Sequence, residues 1–94
     1  MRASIVQSEK VCFLCGRTGN LERHHIFFGT SNRKNADKYG LTVWLCGDTC
    51  HRCGKNAVHQ NRLTDLYLKE QGQRAFEKTH TREEFIQIFG KSYL

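Results

Sequence analysis

Short apolar runs separated by polar stretches predict two strands followed by two helices. Residues 21–28 (LERHHIFF) are rich in aromatic and branched side chains and stop at Gly29, as a strand would. Residues 41–46 (LTVWLC) alternate and are equally β-rich, predicting a second strand. Residues 30–40 (TSNRKNADKYG) are polar and read as a solvated loop, so the two strands form a hairpin with a long basic connection. Further on, Leu63, Leu66, Tyr67, Ala75 and Phe76 recur with a period near that of a helix, which predicts one over residues 62–78 with Gly72 as a mild weakness. Thr81-Arg82-Glu83-Glu84 is a capping box for a second helix, with Phe85, Ile86 and Phe89 on its apolar face and Gly90 as its stop. Residues 1–10 carry no pattern and read as a frayed lead-in.

Size changes this picture by asking what holds the elements together. Ninety-four residues, 38% of them hydrophobic, make one domain over residues 1–94 with a thin core, and a bound metal would reinforce it. Five cysteines supply the means. No charged-then-apolar leader precedes Val11 and no apolar run approaches spanning length, so a cytoplasmic protein without a membrane partner is expected. In a reducing compartment, cysteines at short spacing and in odd number read as metal ligands rather than disulfides. The formal charge of +6 favours a polyanionic partner without selecting one.

Cys12-x-x-Cys15, closed by Gly16, has the spacing of one zinc knuckle. The second pair must come from Cys46, Cys50 and Cys53. Spacing favours Cys50 with Cys53; position favours Cys46, which ends the second strand where it can meet the first knuckle. The expected set is Cys12, Cys15, Cys46 and Cys50, with Cys53 as the substitute. Four thiolates would close the coordination sphere, making this a structural zinc with no chemistry of its own.

Chemistry is therefore sought among His24, His25, His51 and His59. Adjacent strand residues point to opposite faces, so His24 and His25 can serve one phosphate only where the strand ends or bends. On an unbroken helix His51 and His59 would sit about 80° apart, and a break at Gly54 with a new helix from near Lys55 would ease their approach to one ion. His24, His51 and His59 are the expected ligands of a catalytic divalent metal and His25 the general base. His80, in the turn before the last helix, reads as an ordinary surface histidine. Arg23, Arg33, Lys34, Lys38, Arg52 and Lys55 cluster around these positions and are the candidate phosphate contacts.

The order Cys12-x-x-Cys15, His24-His25-Ile26, a β-run ending Leu45-Cys46, then Cys50-His51 and a helix resembles the zinc-bearing HNH endonucleases, small phage enzymes and restriction enzymes among them and colicin DNases more distantly. The resemblance covers residues 12–60. It implies an α+β fold with a ββα-metal (HNH) core over 11–60, a four-cysteine zinc knuckle, and C-terminal helices over 61–94. It also implies hydrolysis of DNA phosphodiester bonds to a 5′-phosphate and a 3′-hydroxyl with a divalent ion (Mg2+, Mn2+, Ni2+ or Zn2+). By the same resemblance the protein would act in a bacterial host cell, encoded by a phage or prophage, with phage or bacterial proteins as further partners. The family's central asparagine has no counterpart at Gly40-Leu41-Thr42, which leaves Thr42, Asn32 or Asn35 to brace His25. The alternatives are a catalytically degenerate domain that binds nucleic acid or protein, and a structural factor that docks on a larger complex.

Overall fold

The computed structural model describes residues 3–47, 51 and 57–94. It is a small α+β fold with strand β1 (Leu21–His25), helix α1 (Thr30–Tyr39), strand β2 (Thr42–Cys46), helix α2 (Arg62–Phe76) and helix α3 (Arg82–Phe89). The strands pair antiparallel, with Arg23 opposite Trp44 and His25 opposite Thr42. No helix among the described residues is long and apolar enough to cross a membrane.

β1 is shorter than its β-rich sequence predicts. It ends at His25 because Ile26 and Phe27 are both buried. Alternation would put one of two neighbours on the outer face, so the chain leaves the strand to bury both. Residues 30–40 are a helix rather than the expected loop. Among its residues of described burial Ala36 alone is fully buried, and Tyr39 packs partly buried against the core, so the polar composition reflects a helix that exposes most of its surface. Gly40 ends it in the left-handed region (φ 72°), its N–H turned back to the carbonyls of Ala36 and Asp37.

The described part of the lead-in is docked rather than frayed. Ile5 N–H donates to the Gly40 carbonyl (2.9 Å), and the Gln7 side chain accepts from Trp44 N–H (2.8 Å). Phe13 N–H donates to the Trp44 carbonyl (2.8 Å), so residues 4–13 cover the edge of β2 that β1 leaves open.

α2 starts behind an Asn61 cap whose side chain accepts from Leu63 and Thr64 N–H, and α3 has the complete capping box of Thr81 and Glu84. Their inner faces close the core around Ile26 and Phe27. The Phe27 ring meets Phe85 at 5.3 Å and Phe89 at 4.5 Å between centroids. Gly72 lets α2 come close, since a Cβ there would lie 3.1 Å from the Phe27 ring and 3.3 Å from Ile26. Fully buried Gln73 donates to Glu77 and Ser92 and accepts from Tyr93 N–H, tying the C-terminal segment to α2.

Candidate metal centres

Cysteine and histidine side chains gather at two points of this frame. At the first, the Sγ atoms of Cys12, Cys15 and Cys46 lie within 4.8 Å of one another. Gly16 turns the knuckle, its N–H donating to the Cys12 carbonyl (2.8 Å), while the Phe13 bond to β2 sets it beside the strand end that carries Cys46. None of the three is joined in a disulfide among the described residues. Cys15 Sγ and Cys46 Sγ are 3.7 Å apart. That is close to the edge of a zinc–thiolate tetrahedron, about 3.8 Å for bonds of about 2.3 Å, and far from a disulfide bond. Burial alone would raise the Cys12 thiol. The backbone N–H groups of Cys46, Cys15 and Leu14 and the Cys15 side chain outweigh it and bring the pKa down to about 6, favouring the thiolate that a metal needs. This group could hold a metal ion; Cys50 and Cys53 lie outside the described residues.

At the second point one ring nitrogen each from His24, His51 and His59 lie within 4.8 Å of one another. They come from three separate segments. His24 is on the inner face of β1, His51 lies beyond the end of β2, and His59 sits in the turn closed by Gln60 and Asn61 N–H on the Ala57 carbonyl. His59 therefore precedes α2 instead of lying one turn inside a helix; Gly54 and Lys55, where that helix was expected to begin, lie outside the described residues. His59 N–H reaches the His51 carbonyl at 3.3 Å, and the Nε2 atoms of the two rings are 3.2 Å apart.

The donor set fits a divalent ion on one further ground. His24 is 2% exposed and its Nε2 has no hydrogen-bond partner among the described residues, a state that native proteins avoid unless something else satisfies the nitrogen. Burial, then the nearby charges of His51, His59, His25 and Lys69, push its pKa down to about 3. Burial and His51 lower that of His59 as well. Both imidazoles are therefore neutral at physiological pH, the form that binds metal. Opposite the lone pairs, the Nδ1–H of His51 donates to Glu22 Oε1 at 2.7 Å.

His25 is the last residue of β1, and the end of the strand lets it share a cleft with its neighbour. Arg23, His24, His25, Phe28, Arg33, His51 and His59 line one cavity of about 240 Å³. Asp37 of α1 meets His25 Nε2 at 3.3 Å. Among the described residues it is therefore Asp37 that braces His25, and not Thr42, Asn32 or Asn35. Thr42 is buried and its Oγ1 accepts from Arg23 at 3.3 Å.

Of the candidate phosphate contacts, Arg23 and Arg33 reach the cleft. Lys34 and Lys38 are exposed on α1 outside its lining, with the Lys38 ammonium 5.4 Å from the Tyr39 ring centre. Arg52 and Lys55 lie outside the described residues. His80 stands apart, stacked on Phe76 at 4.3 Å.

Sequence reasoning missed Glu22, Asp37 and Lys69. Glu22 was accessible to it, because strand alternation puts residues 22 and 24 on one face. Asp37 was hidden by the loop reading of α1. Lys69 depends on the packing of α2: it pairs with Asp65 (2.8 Å) and lies 4.4 Å from the Phe28 ring centre. Comparison with protein-family models, curated proteins and solved structures finds no match to this chain.

Proposed function

We propose that the protein is a metal-dependent endonuclease of the HNH (ββα-metal) type, acting on DNA. The observation that carries this reading is the meeting of three imidazoles, one of them the buried His24 whose Nε2 has no partner among the described residues, in a cleft that also presents His25 and two arginines. On this reading His24, His51 and His59 hold the catalytic ion, of magnesium, manganese, nickel or zinc. Cys12, Cys15 and Cys46 hold a structural zinc with Cys50 as the fourth ligand and Cys53 as its substitute. The catalytic ion, when bound, supplies positive charge for the phosphate and departing oxygens.

The remaining steps belong to side chains of the chain itself. Asp37 accepts the Nε2–H of His25, which directs the ring and leaves the Nδ1 lone pair to take a proton from the attacking water. Neighbouring Arg23 and Arg33 hold the phosphate by charge-assisted hydrogen bonds. Hydrolysis then leaves a 5′-phosphate and a 3′-hydroxyl. The cytoplasm of a bacterial host, with a phage or prophage gene as the source and phage or bacterial proteins as partners, belongs to the same proposal.

The test is incubation of supercoiled plasmid with zinc-loaded protein across a panel of divalent metals. Nicking or cutting is expected, stopped by EDTA and abolished in His25→Ala while DNA retention persists. Folded, zinc-loaded protein that retains DNA and cleaves with none of the metals would instead be a binding module.

A further inference from the structure

Glu22 lies outside the metal-ligating groups, yet it touches the surroundings of both. It shares the inner face of β1 with His24, two residues away, and pairs across the sheet with Leu45. Its Oε1 accepts the Nδ1–H of His51 at 2.7 Å while the His51 ring lies edge-on to His24, 5.2 Å between centroids. An ionised carboxylate only accepts, so the shared proton sits on Nδ1 of His51 and the Nε2 lone pair is left facing His59 Nε2 at 3.2 Å. The opposite tautomer would put a hydrogen on the atom that must ligate.

The carboxylate lies close against Gly47, the residue after Cys46. A Cβ on Gly47 would lie 2.9 Å from the Glu22 carboxyl carbon and 3.1 and 3.2 Å from its oxygens. The backbone is itself fastened, Gly47 N–H donating to the Asn20 carbonyl at 2.8 Å. The chain that leaves the cysteine cluster thus leaves space for the group that orients a histidine of the other cluster.

We propose that Glu22 is the positioning residue of the imidazole centre: seated against Gly47, it fixes the tautomer and direction of His51 so that Nε2 is presented to a divalent ion. The proposal rests on His24, His51 and His59 forming a metal site. Outer partners of this kind change metal affinity by about 10–100-fold when removed.

Zinc-loaded protein is titrated with cobalt(II), and the absorption of cobalt on nitrogen and oxygen ligands is followed separately from thiolate bands. Glu22→Ala weakens the imidazole site about 10–100-fold. Glu22→Gln, which keeps an acceptor oxygen, recovers part of the loss. Gly47→Ala also weakens it, since the atoms nearest a methyl group there are those of the Glu22 carboxylate, which it displaces. The double variant Glu22→Ala/Gly47→Ala binds no more weakly than Glu22→Ala alone, because both changes act on one group. Zinc content and melting temperature report the cysteine site and the fold. Wild-type affinity in Glu22→Ala, or losses that multiply in the double variant, overturns the role of Glu22 and leaves the site standing. Wild-type protein that takes up no cobalt on imidazole ligands overturns the site and this proposal together.

Discussion

An imidazole buried with a nitrogen facing no partner destabilises the metal-free fold, and His24 is in that position. Replacing it with leucine, apolar and of similar size, removes an unsatisfied polar atom that costs about 1–3 kcal/mol. His24→Leu is therefore expected to gain stability in urea denaturation of protein carrying zinc at the cysteines alone, and to lose metal binding at the imidazole centre. A loss of stability would mean that the ring has a packing role beyond its nitrogen. The same burial makes stability depend on pH. The folded His24 has a pKa of about 3 against an ordinary 6.5, so below the ordinary value the unfolded chain takes up the proton first. The contribution is complete above about pH 6.5 and is lost progressively as pH falls towards about 3, on the order of a few kcal/mol in total. His59 acts in the same direction. Melting temperatures between pH 7 and 4 should fall less steeply in His24→Leu than in the parent; parallel curves would refute the shift.

Helix α2 starts just after His59, and its N-terminal cap and one glycine bear on its stability differently. Asn61 caps the helix two residues after His59, so Asn61→Ala is expected to cost about 1 kcal/mol in chemical denaturation. Gly72 poses an opposition between propensity and space. Alanine is the better helix former by about 1 kcal/mol. Its Cβ would nonetheless crowd Phe27 and Ile26, which are buried among Phe85, Phe89 and Tyr93 and have little room to yield. Gly72→Ala is expected to lower the melting temperature, and a rise would show that the rings give way. Helices differ in how far their own residues announce them. The capping box and glycine stop of α3 were readable because both act within one turn of chain. α1 was not, because it has no side-chain cap and its hold on the core is Ala36 and Tyr39, which mean little until α3 and β1 are in place.

In a chain of 94 residues a metal held at Cys12, Cys15 and Cys46 would clamp the knuckle to the end of β2. Cys12→Ser is expected to release one equivalent of zinc and to lower the melting temperature by about 10 °C or more, a few kcal/mol at about 4–8 °C each. Unchanged zinc content would remove Cys12 from the site. The net charge of +6 adds a second expectation: with Arg33 lining the cleft, Arg33→Ala should weaken DNA retention and reduce the slope of log affinity against log salt by about 1. Residue types and short spacings already point to thiolate and imidazole ligands, the two strands and the helix stops, since knuckles, caps and alternation are set by neighbours a few positions apart. That His24 lies buried against His51 and His59, that Asp37 and not Thr42 meets His25, and that Glu22 is seated against Gly47 follow only from the packed chain. Each joins segments far apart in sequence, and their approach is set by which apolar faces are buried together, a property that no local stretch carries.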